Sequence, residues 1–282
     1  MSDYNNKDLI HIKNGDFECL KFRILEKYSD KITHMITLRH GGVSNGVYSS
    51  LNIRTVGKDN IKNVYKNLDI MCENMKIKRD DVYKAKQNHT DNILILDNDN
   101  KKEYNFNNLS EECYDGYITN KSNINTLVTT ADCNPIIIYD PVNNIFANVH
   151  SGWKGTLKRI SKKAAVIMHD KFNSKFEDMI VCIGPSIRKC CFTSLEDEFK
   201  DKFVEVFHNE DEYITKDKDG KYHFDLIYVI KNDLENLGIK EENIKVANIC
   251  TCCNEEDFYS FRKATMRNDD DYATFATIVG LI

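Results

Sequence analysis

No apolar run in this chain approaches the ~18–20 residues that a membrane-spanning helix needs. The opening stretch, residues 1–16, is too polar and too acidic for a secretory signal or a transit peptide. The expected setting is therefore the cytoplasm, and the ten cysteines read as reduced thiols rather than a disulfide framework. Positive charge is not in excess: a formal net charge of −5 and a pI near 5.9 argue against a nucleic acid or an anionic membrane as partner. Only three prolines occur, which reflects genome composition more than mechanism. No repeat, low-complexity linker or break in composition divides the 282 residues. A single domain over 1–282 is expected, with 1–30 set apart as an N-terminal extension. No glycine-rich stretch has the full spacing of a phosphate loop or a dinucleotide fingerprint.

What remains is ordinary globular material, 41% hydrophobic and 29% charged. Apolar residues at helical spacing (Ile61, Val64, Leu68, Met71) predict a helix over 59–76, and a short apolar run predicts a strand over 82–85. Residues 97–113 are polar and read as loop. Two apolar runs, 136–139 and 145–149, flank the turn signal Asp140-Pro141-Val142-Asn143-Asn144 and predict a hairpin. A helix opened by Gly155-Thr156 follows, then a strand over 181–183. Thr193 with Glu196 has the form of a capping box, predicting a helix that turns Leu195, Phe199, Phe203 and Phe207 inward. A helix over 225–237 is stopped by Gly238, and strands are expected over 244–249 and 273–281. Helices and strands alternate, but the hairpin makes the sheet mixed. The expected fold class is α+β (mixed α/β), with mixed sheets flanked by helices in several layers.

The hairpin carries the chemistry. With a loop of Asp140 to Asn143, Cys133 falls directly opposite His150, their Cβ atoms about 4.5–5.5 Å apart. A shift of the loop by one residue makes the pair diagonal, which still allows one metal ion to bind both, at about 2.3 Å to sulfur and about 2.0–2.1 Å to nitrogen. Asp132, beside the thiol, is a candidate to orient a ligand histidine or to carry a proton. An open catalytic zinc site needs a third protein ligand. His89, in the polar turn Gln87-Asn88-His89-Thr90-Asp91, is the leading candidate, with His40 behind it, and spacing leaves the choice open. The segment His150-Ser151-Gly152-Trp153-Lys154-Gly155-Thr156 runs from strand to helix and exposes backbone N–H groups suited to an anionic oxygen. Arg39 is a further anion contact. The pairs Cys190-Cys191 and Cys250-Thr251-Cys252-Cys253 lack a repeated Cys-x-x-Cys spacing and read as buried or adventitious thiols. Spacing does not decide whether Trp153 lines a pocket or plugs the core.

These residues resemble the YfiH-like laccase-domain family, formerly described as multicopper polyphenol oxidases and now as purine nucleoside phosphorylases. The resemblance runs from about residue 30 to the end. It rests on Arg39-His40-Gly41-Gly42-Val43-Ser44, Ser50-Leu51-Asn52, Gln87-Asn88-His89, Tyr114-Asp115-Gly116, Ala131-Asp132-Cys133-Asn134-Pro135 and the His150 to Thr156 segment. Later matches are Gly184-Pro185-Ser186-Ile187 with Cys190-Cys191-Phe192, and Cys250-Thr251 with Phe258-Tyr259-Ser260-Phe261-Arg262. It implies zinc on His89, Cys133 and His150, with copper as the alternative ion. It also implies phosphorolysis of adenosine, inosine and S-methyl-5'-thioadenosine, together with deamination of adenosine.

Purine nucleosides and phosphate are thus the expected partners. Cys133, His150 and Asp132 are the expected catalytic residues; Arg39, Ser44, Asn52, Gly152 and Lys154 are the expected substrate and phosphate contacts. The chain departs from the family pattern at Lys154 (usually Arg), Arg188 (usually Gly) and Tyr272-Ala273-Thr274 (usually Thr-Gly-Arg). Three rivals stand beside this reading: a copper-dependent polyphenol oxidase, a metal-free Cys–His hydrolase with Cys133 as nucleophile, and a non-enzymatic scaffold. The first is disfavoured because the eight histidines contain no His-x-His pair.

Overall fold

A computed structural model describes residues 2–106 and 111–282. Two six-stranded mixed sheets and a small three-stranded antiparallel sheet carry the chain, with helices packed on their outer faces. The first sheet runs Leu9–Asn14, Phe17–Phe22, Ile32–Thr37, Phe275–Leu281, Asn125–Thr130, Val82–Tyr83, antiparallel until its last pair. The second runs Ile244–Val246, Ile180–Ile183, Asn134–Asp140, Ile145–Ser151, Gly116–Thr119, Ile93–Ile95, with a parallel pair at each edge. Residues 9–22, set apart in the sequence as an extension, form the outer hairpin of the first sheet, with Leu9, Leu20 and Phe22 buried in the core between sheets.

The predicted hairpin is the middle of the second sheet. Both its strands are buried along their whole length, so they read as continuous apolar runs and not as alternation. One face (Ile137, Tyr139, Phe146) packs on the first sheet. The other (Ile136, Ile138, Ala147, Val149) packs on the helices Ile160–Phe172 and Leu226–Glu235. Buried Asn148 lies on the first face and donates its amide to the carbonyls of Thr126 and Thr277, tying the two sheets together.

Several expectations need correction. The hairpin pairs Asp140 with Ile145 and Pro135 with His150, so Cys133 is diagonal to His150 and not opposite it. Asp140 stays in the ladder because its carboxylate accepts the N–H groups of Val142 and Asn143, closing the turn over 141–144. The capping box fails: Thr193–Ser194 is a strand of the small sheet, Glu196 is itself the N-cap of Asp197–Val204, and Leu195 is 65% exposed. The helix after Gly152 is two helices, Trp153–Leu157 and Ile160–Phe172, broken at left-handed Arg159. That arginine is held by a half-buried ion pair with Asp233. Within the loop expected over 97–113, Lys101–Tyr104 forms a 3-10 turn, and residues 107–110 lie outside the described residues. The strands and helices expected over 59–76, 82–85, 225–237, 244–249 and 273–281 form with trimmed ends, as Ile61–Met75, Val82–Tyr83, Leu226–Glu235, Ile244–Val246 and Phe275–Leu281.

Candidate active site

Cys133 and His150 lie on the same face of the hairpin, at its open end. A diagonal pair on one face remains within reach of a common ion. His89 completes the set: one ligand atom from each of His89, Cys133 and His150 lies within 4.8 Å of the others. The His89 Nε2 to Cys133 Sγ distance is 3.7 Å, and the two imidazoles meet edge-on with centroids 5.0 Å apart. Two nitrogens and one sulfur at these separations suit a tetrahedral zinc ion with a fourth position open. His40 is elsewhere, paired with Asp257 at 2.9 Å.

One carboxylate positions two of the three ligands. Asp115 Oδ1 accepts from His150 Nδ1 at 2.8 Å, which leaves Nε2 of that ring facing the site. The same carboxylate accepts the backbone N–H groups of Asn88, His89 and Thr90 and the Thr90 hydroxyl. His89 has φ +55, a left-handed conformation that costs a non-glycine residue about 1 kcal/mol. The three N–H bonds to Asp115 stabilise that turn and aim the imidazole at Cys133. Spacing alone does not mark Asp115 for this role, although Tyr114-Asp115-Gly116 leads into the strand that pairs beside His150.

Asp132 does a parallel job for the thiol. It lines the cavity, yet its carboxylate accepts from Thr251 Oγ1, Ser260 Oγ and the Arg262 backbone N–H, so it does not orient a histidine. Its own φ is +87 and its carbonyl accepts from Ile187 N–H, so four contacts hold the turn that presents Cys133. Gly152 permits the assembly by having no side chain: a Cβ there would lie 2.7 Å from His89 Cδ2 and 2.8 Å from Cys133 Sγ.

Electrostatics favour a charged pair. Burial pushes the Cys133 thiol up, but His150 and His89 outweigh it and bring it down to about 7. Burial pushes His150 down, while Cys133 and Asp115 raise it to about 9. Burial likewise works against the Asp115 carboxylate, and its bonds from His150 and Thr90 hold it at about 2.

The three ligands open onto a cavity of about 810 Å³. Its wall carries the cationic side chains Arg54, Lys84, Lys86, Lys154 and Arg262 and the aromatic rings Trp153, Phe192, Phe261 and Tyr272. Trp153 is therefore a lining residue, packed on Phe199 with centroids 5.1 Å apart. Lys84 is buried, which lowers it to about 8. Arg54 pairs with Asp271 and stacks over Tyr272 at 4.0 Å, and Thr274 lines the same cavity. Arg39, Ser44 and Asn52 stand outside this wall. Arg39 donates to the carbonyls of Ser49 and Glu255 and lies over Tyr259; Ser44 and Asn52 both donate to Asp59. They brace the loop after the Gly41-Gly42 pair.

A family model described as "Multi-copper polyphenol oxidoreductase laccase" matches residues 33–281. The chain belongs to this family. A family member from Clostridium acetobutylicum, named a purine nucleoside phosphorylase, is 34% identical over 246 residues, covering 86% of this chain and 91% of its own. Another, from an unknown prokaryotic organism and named an adenosine deaminase, is 27% identical over 219 residues, covering 77% of this chain and 82% of its own. The crystal structure of the YfiH protein of Bacillus licheniformis superposes with a TM-score of 0.86 at 26% identity, covering 96% and 99% of the two chains. Purine nucleoside and phosphate chemistry is thus the family's, and this chain is an enzyme of that family. No helix among the described residues is long and apolar enough to cross a membrane.

Proposed function

We propose that this chain is a zinc-dependent purine nucleoside phosphorylase acting on adenosine, inosine and S-methyl-5'-thioadenosine, with adenosine deaminase activity. One observation carries the reading: the His89, Cys133 and His150 cluster opens onto a cavity walled by both cations and aromatic rings. A zinc ion on these ligands supplies Lewis acidity to the cavity. Multicopper oxidation is disfavoured because no other histidine joins the cluster among the described residues.

The chain's own groups supply the rest. Phosphorolysis bonds an oxygen of monohydrogen phosphate to C1′ of the ribose while the base leaves with the C1′–N electron pair and takes up the proton that the phosphate gives up. Lys154, on the cavity wall, holds the phosphate by a charge-assisted hydrogen bond, while Arg54 and Arg262, engaged with Asp271 and with the carbonyls of Cys191 and Thr193, add positive charge around it. Trp153, Phe192 and Tyr272 offer ring faces to the purine. Asp132 and Asp115 act as braces that keep sulfur and imidazoles in place, a role that needs no contact with the nucleoside. Incubation with inosine and phosphate, followed by chromatography, is expected to give hypoxanthine and ribose 1-phosphate. Absence of both in zinc-replete protein defeats the proposal.

A second reading draws on the thiol brought to about 7 beside an imidazole raised to about 9, the pairing a metal-free Cys–His hydrolase uses. His89 argues against it, since a nucleophile needs one base and this sulfur faces two imidazoles. Full activity after complete metal removal would favour the hydrolase.

A further inference from the structure

A second cluster lies outside this site. One sulfur from each of Cys190, Cys191, Cys250 and Cys253 lies within 4.8 Å of the other three. Cys253 Sγ is 3.7 Å from Cys190 Sγ and 3.4 Å from Cys191 Sγ. Four sulfurs bound tetrahedrally at about 2.3 Å from zinc stand about 3.8 Å apart. No disulfide links any of them. We infer that these four cysteines form a structural zinc site, closed by four thiolates and separate from the catalytic cavity.

The fold explains what spacing alone concealed. The parallel strands Ile180–Ile183 and Ile244–Val246 send two segments out of the same edge of the sheet. A parallel bridge of Ser186 with Cys250 continues the pairing, through Ser186 N–H to Ile249 O and Thr251 N–H to Ser186 O. The adjacent pair Cys190-Cys191 then meets the single Cys-x-x-Cys of Cys250 and Cys253. Backbone N–H groups of Arg188 and Cys253 point to the Cys250 sulfur, as donors do around metal-bound thiolates.

Arg188 supplies the second independent mark. Its charge lies near the Asp225 carboxylate and beside Cys250 and Cys190, and its buried Nε and Nη1 have no hydrogen-bond partner among the described residues. With the thiols neutral, this buried cation has the Asp225 carboxylate nearby but no partner for those two nitrogens, which is costly. Zinc binding releases four thiol protons to solvent and leaves a centre of net charge −2, which compensates the guanidinium. The ion would staple the segments that carry Ile187 and Phe192 into the cavity wall. Arg262 reaches the same staple through the Cys191 carbonyl. The inference does not depend on what reaction the cavity performs.

The test is metal content and X-ray absorption of the full chain purified with zinc under reducing conditions. Wild type is expected to hold two zinc equivalents. The Cys133→Ala/His150→Ala variant should keep one, with a sulfur-only shell at about 2.3 Å. The Cys190→Ser/Cys253→Ser variant should lose that sulfur-only component. If this last variant fails to fold, the shell measured on the Cys133→Ala/His150→Ala protein still decides. A nitrogen-containing shell there, iron in place of zinc, no retained metal, or a disulfide among the four cysteines in anaerobically purified wild type would each overturn the site.

Discussion

Replacing Asp115 with asparagine tests whether one carboxylate organises the three candidate metal ligands. The amide oxygen can still serve Thr90, whose N–H and hydroxyl bind Oδ2 at 2.6 and 2.7 Å. The amide NH₂ then faces the donors that Oδ1 now accepts, His150 Nδ1 at 2.8 Å and His89 N–H at 3.1 Å. A donor opposite Nδ1 forces its proton onto Nε2, the nitrogen that faces Cys133, and removes the lone pair a metal needs. Loss of such a supporting partner lowers metal affinity about 10–100-fold, or about 1.4–2.7 kcal/mol. The orphaned His89 N–H removes a further ~1–3 kcal/mol of stability from the metal-free protein. Competition for zinc against a chromophoric chelator measures the first quantity, and urea unfolding of the metal-free forms the second. A folded Asp115→Asn protein that binds zinc within twofold of wild type would refute the argument.

Gly152→Ala is expected to abolish zinc binding at the catalytic ligands while the protein stays folded. Gly152 has φ −73, so backbone strain is absent and only the new Cβ against His89 and Cys133 acts; normal metal content at these ligands would show that they can yield. Lys154→Met is expected to raise the KM for phosphate about tenfold with little change in nucleoside binding, the loss of one charge-assisted contact; an unchanged phosphate KM removes Lys154 from the anion site. His34 is fully buried and accepts Phe22 N–H at 2.7 Å, and burial, with Lys21, holds it down to about 3 against about 6.5 when unfolded. Neutral His34 therefore contributes stability that is complete above pH 6.5 and lost as pH falls toward 3. The loss between pH 6 and pH 4 is about 2–3 kcal/mol. His34→Gln keeps an acceptor but does not titrate, so its unfolding free energy should fall less over that interval; parallel curves would exclude His34 as the acid-sensitive group.

The hairpin, most of the long helices and the nearness of Cys133 to His150 were legible in the sequence because each depends on local pattern, whereas His89 joined them only through the family resemblance. The small sheet was not: its strands are two or three residues long, and Thr193, read as a helix cap, pairs with His223, thirty positions away in sequence. The inward aspect of Leu195 failed for the same reason, since the helix begins at Asp197. The four-thiol cluster stayed hidden because its two halves are joined by a parallel strand pair, and parallel pairing leaves no short-range signature. Arg39 was misjudged as an anion contact because a guanidinium beside two glycines looks free in sequence, whereas folding surrounds it with carbonyls.

The harder lesson concerns the two aspartates. From sequence, Asp132 was a candidate partner because it adjoins Cys133, and Asp115 stood out only as part of the Tyr114-Asp115-Gly116 motif. The structure gives each the same task at different ends of the site: a carboxylate accepting several donors around a left-handed turn that presents a ligand. Left-handed backbone at His89 and Asp132 is unfavourable in isolation, so neither ligand geometry can be a property of its own loop. Each is set by segments far along the chain, Gly116–Thr119 beside Asp115 and residues 251–262 around Asp132. It follows that catalytic geometry should be lost through distant substitutions such as Thr251→Val, which removes one donor from a buried carboxylate without touching the cavity. Zinc affinity and activity are expected to fall together in that variant. Activity that falls while zinc affinity holds would instead place Asp132 in the chemistry itself.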